Sequence, residues 1–332
     1  MVGVGDELEN EWDVDLFTVD LGRRATRIYD DKFDNLARLP DRINELFKPF
    51  VWFQFQLNGT TANIMAMTMA TDSQMNRCLI ASGSYVGGDE TCAQPLSTSY
   101  LQPGAYFCDI IVDGDHLSNA ARSQTIPLPY HVPSDDLDNN ALQEMEDECI
   151  HHLHVRYFAS KIDGKAFKAI FLELILAGNG GSLSDCFLEK LGNFCLEYGI
   201  SIVVDEIMTS VRCGPTLLSL EAPSTFQQAI AFITVGKWAK IGIVLMNPGH
   251  ETIINLLEER NSVKSQNRGF SVDPKIYETF QMITQVKSYL GVARERGEMV
   301  TNWLRNADKN VEYWGKGCLI FSNRPRKILI VA

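Results

Sequence analysis

Short runs of consecutive apolar residues alternate with amphipathic stretches through the middle of this sequence. Five runs are five to eight residues long and have little polar alternation: Arg77–Ser82, Tyr106–Val112, Ala169–Leu176, Ile200–Val204 and Ala229–Thr234. Continuous apolar runs of this length are typical of strands that are buried on both faces of a parallel sheet. The pattern therefore predicts a central, mainly parallel sheet.

Helical patterns lie between and after these predicted strands. Ser184–Tyr198 is amphipathic, and Ser184 can cap its beginning while Gly199 can end it. Three further stretches are predicted to be helical: residues 33–48, 62–70 and 273–308. Strands that alternate with helices predict an α/β fold. We divide the chain into an N-terminal segment over residues 1–50, a large domain over 51–290 and the start of a small domain over 291–332, which includes a short β segment.

Composition narrows the class of protein. With 332 residues, 45% hydrophobic and 22% charged, the sequence is that of an ordinary globular protein. A net charge of −12 argues against nucleic acid or an anionic membrane as the main partner. We expect no membrane span and no signal or transit peptide, because long apolar runs are absent and residues 1–20 are acidic without Lys or Arg. Eight cysteines without paired spacing predict reduced thiols and a cytoplasmic location.

Three groups that can carry chemistry stand at predicted element ends. Asp205 directly follows one apolar run, and Lys237 follows the next, 32 positions later. Asn58-Gly59-Thr60-Thr61 stands before a predicted helix, where backbone N–H groups, the helix dipole and two hydroxyls suit a phosphate. Each signal alone is weak, because an ordinary helix cap, a solvated loop start or metal ligand, and a surface Lys are the more common explanations of the three.

Together, the three groups are those that a pyridoxal phosphate site requires. A buried carboxylate keeps the pyridine nitrogen of the cofactor protonated, so that its ring withdraws electrons. A Lys forms an imine with the cofactor, and burial beside a cation lowers the pKa of its amine so that it can react. In an α/β sheet such groups meet beyond the carboxyl ends of the strands.

The motifs resemble those of class III aminotransferases, also called the ornithine type or subgroup II. The resemblance rests on six segments in family order: Asn58–Asn63 (NGTTAN), Gly83–Gly87 (GSYVG), Glu173 followed by Gly178 and Gly180, Ser201–Gly214 (SIVVDEIMTSVRCG), Thr234–Lys237 (TVGK) and Gly269–Pro274 (GFSVDP). The DEIMT form is closest to the glutamate-1-semialdehyde aminomutase branch. The resemblance covers roughly residues 50–320 and implies the large domain of a fold-type I transferase that depends on pyridoxal 5′-phosphate, with a truncated small domain.

The resemblance assigns a role to each matched position. Lys237 would form the Schiff base with the cofactor and move protons, and Asp205 would pair with the pyridine nitrogen. Tyr85 would stack on one face of the ring and Ile207 would pack on the other. The remaining matched residues would hold the phosphate or serve as a structural or substrate-side carboxylate: Gly59, Thr60 and Thr61 for the phosphate, and Glu173 for the carboxylate. Members of the family are homodimers.

The sequence also departs from the family pattern. Thr61 replaces an acidic residue of the phosphate turn, and Val86 replaces the His after the stacking aromatic. Gly269 replaces a Thr that reaches the phosphate of the partner subunit, and Gly178 replaces a Glu that pairs with an Arg for substrate carboxylates. We therefore expect a substrate less acidic than glutamate.

The function expected from the resemblance is transfer of an amino group between an amine or amino acid and a keto acid or aldehyde. Two alternatives stay open. The same site supports aminomutase, racemase, decarboxylase or lyase chemistry, and a catalytically degenerate protein on this fold could bind a partner or the cofactor without turnover. Cys149, His151, His152 and His154 lie together in the sequence, but their spacing matches zinc patterns poorly, and we expect no metal site.

Overall fold

A computed structural model gives the arrangement of the chain. It describes residues 39–71, 76–81, 86, 106–113, 116–119, 126–132, 137–178, 180–213, 217–219, 222–250, 253, 274–307, 309, 311–322 and 329–330. The helices are α1 (Leu39–Leu46), α2 (Gly59–Ala70), α3 (Asn139–Ile162), α4 (Asp185–Tyr198), α5 (Ser224–Ala229) and α6 (Pro274–Ala307). Within these ranges no helix is long and apolar enough to cross a membrane.

Nine strands of the described residues form one large mixed sheet. They are β1 (Val51–Gln56), β2 (Asn76–Ala81), β3 (Tyr106–Asp113), β4 (His116–Asn119), β5 (Ile126–Pro127), β6 (Phe167–Leu172), β7 (Ser201–Glu206), β8 (Ile230–Val235) and β9 (Gly242–Met246). Their spatial order is β1-β9-β8-β7-β6-β2-β3-β4, with β5 paired to β3. A separate antiparallel sheet contains β10 (Tyr313–Lys316), β11 (Leu319–Ser322) and β12 (Leu329–Ile330).

The four central strands β2, β6, β7 and β8 are parallel to one another, and the sheet is buried on both faces. Along β7, Ile202 and Val204 pack on one side while Val203 packs on the other. Side chains of successive strand residues point to opposite faces, so an unalternated apolar strand needs cover on both. Helices α3 and α4 cover the first side, and α2 covers the second.

Local sequence explains how α4 begins and ends. The Ser184 side chain accepts a hydrogen bond from the N–H of Phe187, as an N-cap does. Gly199 ends the helix with a φ of 63°, a left-handed conformation that a residue without Cβ adopts at no steric cost. The predicted helix and both of its caps are confirmed.

The structure corrects two of the predicted strands. Tyr106–Val112 is a strand, but it pairs antiparallel to β2, so the sheet is parallel only at its centre. The run Ala169–Leu176 leaves the sheet after Leu172. In the loop that follows, the Glu173 carboxylate accepts a hydrogen bond of 2.7 Å from the Ala177 N–H, a local bond that stabilises the turn away from the strand direction. The α/β fold class itself is confirmed.

Candidate active site

The ends of β7 and β8 place Asp205 and Lys237 at the same edge of the sheet. The two strands are adjacent and parallel, and Asp205 lies opposite Thr234 in their register. Lys237 follows the last residue of β8 by two positions and has a φ of 54°. A positive φ is uncommon for a residue with a Cβ and occurs mainly where surrounding contacts enforce it. The chain therefore turns sharply at Lys237, directly beyond the carboxyl end of the sheet.

Asp205 is a buried carboxylate with a donor on each oxygen. Its Oδ1 accepts a hydrogen bond from the Ile207 N–H, and its Oδ2 accepts one from Asn63 Nδ2, both at 2.8 Å. Burial is the main cause that raises the pKa of Asp205, to about 7, and the charge of Glu206 also raises it. The two hydrogen bonds and the charge of Lys237 act in the opposite direction, because they favour the ionised form.

Asn63 lies on α2, one helical turn after Gly59, and its side chain reaches across to the sheet. Besides Asp205, its Nδ2 donates to the carbonyl oxygen of Val86 at 3.0 Å. Its Oδ1 accepts a hydrogen bond from the Thr234 hydroxyl at 2.6 Å. Asn63, Asp205 and Thr234 are all buried. One amide thus connects the helix, both strand ends and the segment at Val86.

Lys237 lies at the rim of the site, with its Nζ 3.5 Å from the sulfur of Met208. Burial of the amine lowers the pKa of Lys237, and the nearby Arg212 guanidinium lowers it further. The carboxylates of Asp205 and Glu173 act against this, but the net direction is downward. A lowered pKa increases the fraction of neutral amine, which is the nucleophilic form.

A cavity of about 190 Å³ opens between these groups. Gly59, Thr60, Asn63, Ile207, Lys237 and Lys240 are among the residues that line it. The beginning of α2 faces this space, and the first N–H groups of a helix have no carbonyl partner inside the helix. A Cβ on Gly59 would lie 2.6 Å from Cδ1 of Ile207, so a larger residue there would intrude on the cavity wall.

The hydrogen bonds at the beginning of α2 distinguish Thr61 from its neighbours. Thr61 forms a capping box with Asn58: its N–H donates to Asn58 Oδ1 at 2.9 Å, and its hydroxyl oxygen accepts a hydrogen bond from the Asn58 N–H at 3.3 Å. A phosphate role for Thr61, predicted from the sequence, would have to compete with these bonds. Gly59 and Thr60 line the cavity directly.

The structure brings most of the predicted site residues together. Gly59, Thr60, Ile207 and Lys237 line the same cavity, and Asp205 bonds to Asn63 in its wall. Glu173 is buried beyond the end of β6, close enough for its charge to act on Lys237. Two residues named in the family resemblance, Tyr85 and Gly269, lie outside the described residues.

Asn63, Thr234, Met208 and Lys240 received no role from the sequence, although the first three lie inside the segments that resemble the family. Asn63 and Asp205 are 142 positions apart, so no local spacing connects them. The signal that was present is a polar residue inside the apolar stretch 62–70, since a buried amide requires a partner. Among the described residues, no group of three or more His, Cys, Asp or Glu side chains is arranged to hold a metal ion.

Several solved structures of proteins named as aminotransferases or as an omega-transferase have a similar fold. A lysine aminotransferase from M. tuberculosis in the internal aldimine form matches with a TM-score of 0.62 at 15% identity, covering 86% of this chain and 66% of that one. An omega-transferase from Vibrio fluvialis matches with a TM-score of 0.60 at 15% identity, covering 86% and 68%. A PMP-bound aminotransferase from the same organism matches with a TM-score of 0.58 at 13% identity, covering 90% and 69%.

These likenesses establish the fold of the chain. The predicted fold-type I transferase architecture is confirmed over 86% of the sequence. The chain spans 66% of the length of the lysine aminotransferase. No protein-family model matches the sequence.

Proposed function

We propose that the chain is a pyridoxal 5′-phosphate-dependent aminotransferase that transfers an amino group between an amine or amino acid and a keto acid or aldehyde. The observation that carries this proposal is the meeting of Lys237 and Asp205 at the ends of two adjacent strands, beside a cavity that begins at Gly59. The similar structures bear the names of aminotransferases, one in the internal aldimine form and one PMP-bound.

The residues that are present fit this cofactor. A reactive amine, a buried carboxylate and a helix N-terminus are the groups that an aldehyde, a pyridine nitrogen and a phosphate require. Asp205 has donors for both of its oxygens, which allows a carboxylate to stay ionised in a buried place. When bound, pyridoxal phosphate supplies an aldehyde carbon for the amino group and a ring that withdraws electrons from the reacting carbon.

Lys237 and Asp205 have the two reactive roles in this proposal. The lowered pKa of Lys237 provides a neutral amine that can hold the cofactor covalently and later take and return the proton at the substrate carbon. Asp205, when ionised, keeps the proton on the ring nitrogen. Its bonds to Ile207 and Asn63 fix the direction of the carboxylate before any ligand binds.

The remaining residues would bind the cofactor and orient it. Gly59 and Thr60 would contact the phosphate at the start of α2, with the predicted Thr61 beside them, and Lys240 adds a positive charge to the same cavity. Ile207 would pack on one face of the ring and Tyr85 would stack on the other. Glu173 would act as a structural or substrate-side carboxylate.

The proposals for the substrate class and the oligomeric state rest on the family resemblance and on the positions where this sequence departs from the family pattern. Motif likeness favours class III and, within it, the glutamate-1-semialdehyde aminomutase branch. Gly178 is exposed in the loop after β6 and provides no carboxylate that could pair with an Arg for substrate carboxylates. We therefore propose a less acidic amine or amino acid as donor, weak discrimination toward 2-oxoglutarate, and a homodimer.

An absorbance spectrum tests the proposal. Purified protein with added pyridoxal phosphate should develop a visible band, and productive amines from a panel should convert it to the spectrum of the amino form of the cofactor. Lys237→Ala should abolish the original band, while the matched variant Lys240→Ala, whose Lys lines the same cavity, should retain it. A band that no amine alters would support a binding protein without turnover instead.

A further inference from the structure

The amide of Asn63 has a fixed orientation. Its Nδ2 faces two oxygen acceptors, Asp205 Oδ2 at 2.8 Å and the Val86 carbonyl at 3.0 Å. Neither the Val86 carbonyl nor an ionised Asp205 can donate, so the NH₂ end must lie on this side. The oxygen end then accepts from the Thr234 hydroxyl at 2.6 Å. All the polar contacts of this amide are thereby satisfied in the orientation that points a donor at Asp205.

We propose that Asn63, oriented by Thr234, is a positioning residue that keeps Asp205 ionised and aimed at the ring nitrogen of the cofactor. The inference rests on the function proposed above and adds two residues to it. Asn63 stands on the same helix as Gly59, one turn further on. The helix that would bind the phosphate therefore also carries Asn63, which positions Asp205, the partner of the pyridine nitrogen. Both ends of the cofactor would thus be positioned by one rigid helix.

The Asn63 amide is important because burial and the nearby charges act on the ionisation of Asp205 in opposite directions. Among the described residues, the charges that act on Asp205 are those of Glu206 on its own strand and Lys237 beyond β8. Burial and Glu206 both disfavour the ionised carboxylate, while Lys237 favours it. Because the lowered pKa of Lys237 favours its neutral amine, which carries no charge, the ionised form of Asp205 would then depend on the donors of Ile207 and Asn63. The Ile207 donor is backbone, which leaves Asn63 as the side chain through which the ionisation can be changed.

The first test uses the protein without cofactor, so that its outcome does not depend on the proposed function. Asn63→Leu keeps a similar volume and removes the donor. Because the lost bond favours ionised Asp205, the fall in the thermal unfolding midpoint should be larger at about pH 8.5 than at about pH 5, on either side of the Asp205 pKa. In an Asp205→Asn background this difference between the two pH values should disappear.

A milder pair of variants keeps the test informative if Asn63→Leu fails to fold. Thr234→Val removes the hydroxyl that orients the amide, and it should show the same dependence on pH at smaller amplitude. Thr71→Val is the matched control, because the buried Thr71 hydroxyl donates to the backbone carbonyls of Met67 at 2.9 Å and Thr68 at 3.3 Å, which do not titrate. Its cost should be equal at both pH values. Thr234→Ser should restore wild-type behaviour.

The second test uses the loaded protein. Asn63→Leu should weaken the affinity for pyridoxal phosphate by about tenfold or more, the scale of a lost hydrogen bond to a charged group. It should also move the acidic limb of the pH–rate profile upward. A wild-type protein that binds no cofactor would overturn the proposed function and leave the first test to decide on Asn63. Losses independent of pH in both tests would overturn the positioning role and leave Asn63 a structural residue.

Discussion

The pKa of Asp205 is set by effects that act in opposite directions. Burial raises its pKa from an ordinary value of 3.8 to about 7, although two hydrogen bonds act against the rise. A carboxyl whose pKa is higher in the folded state than in the unfolded state takes up protons on folding between those values. Its contribution to stability is therefore present below the unfolded pKa and is lost as pH rises through the folded pKa.

This sign gives a prediction for the protein without cofactor. The free energy of unfolding should fall as pH rises from about 4 to about 7, with a contribution from Asp205 of at most about 1.4 kcal/mol per pH unit. Asp205→Asn should flatten this part of the profile, since an amide does not titrate. Denaturant unfolding at several pH values measures it. An unchanged slope in the variant would show that other groups cause the dependence.

The same substitution tests the role of Asp205 in turnover. With cofactor bound, Asp205→Asn should leave the ring nitrogen largely unprotonated and lower turnover by about 10²-fold, the scale of other lost electrostatic contacts in buried sites. Cofactor should still bind, because the phosphate contacts are unaffected. Steady-state rates and the cofactor spectrum measure the two effects separately. Near-normal turnover would exclude Asp205 as the partner of the ring nitrogen.

Single residues differed in how well the sequence predicted them. Asp205 and Lys237 could be found because each follows an apolar run, and the ends of buried parallel strands gather at one edge. Asn63 and Thr234 could not, although they are buried and bonded to each other. Their partners are set by how α2 crosses the sheet, and that crossing is not contained in the periodicity of any one segment.

At the scale of elements, the position of α2 depends on its close approach to β9. A Cβ on Gly242 would lie 2.2 Å from the Asn58 carbonyl oxygen and 2.8 Å from the Cβ of Ala62. The first of these atoms belongs to backbone, so the helix start itself would have to move. The closeness of α2 to the sheet, which lets Asn63 reach Asp205, therefore requires glycine at this position of the strand.

Gly242→Ala should accordingly disturb the beginning of α2. We expect a loss of about 1–3 kcal/mol in the free energy of unfolding, as for other overpacked positions, and weaker binding of pyridoxal phosphate. Gly249→Ala is a suitable control, because the nearest atom to its Cβ would be the side-chain oxygen of Asn247 at 3.6 Å. Denaturant unfolding and cofactor titration measure both effects. Equal behaviour of the two variants would contradict the close-approach argument.

A helix with clear caps and an amphipathic face could be predicted from the sequence, whereas the pairing of the strands could not. Helix α4 has a Ser cap, a Gly stop and an amphipathic face, and the sequence predicted it correctly. Strand β3 was placed correctly but in the wrong direction, because an apolar run carries no information about the orientation of its partner. Strands β1 and β9 were missed, and they pair with each other at one edge of the sheet.

At the scale of the whole molecule, one face of α2 is a candidate surface for the association of two copies of the chain. It has apolar residues on all sides, a pattern typical of helices that are buried all round. Its residues Ala62, Ala66 and Met67 are buried against the sheet, whereas Met65 and Met69 are only partly covered within the described part of the chain. A second copy of the chain over this face would complete the cover, in agreement with the proposed homodimer.

Light scattering can test this interface. Met69→Glu should shift the solution mass from that of a dimer toward that of a monomer, because a charge in an apolar contact is costly. Ile162→Glu is the control, since Ile162 on α3 is 87% exposed and lies on a different helix. Circular dichroism should show both variants folded. A wild-type monomer with full activity, or dissociation by Ile162→Glu alone, would contradict α2 as the interface.

Peptide mapping after borohydride reduction tests whether Lys237 holds pyridoxal phosphate covalently. Protein loaded with the cofactor is reduced, digested and analysed by mass spectrometry. We expect a pyridoxyl adduct on Lys237, which has a lowered pKa and stands beyond the strand next to Asp205. An adduct on Lys240, which lines the same cavity, or on any other lysine would contradict it.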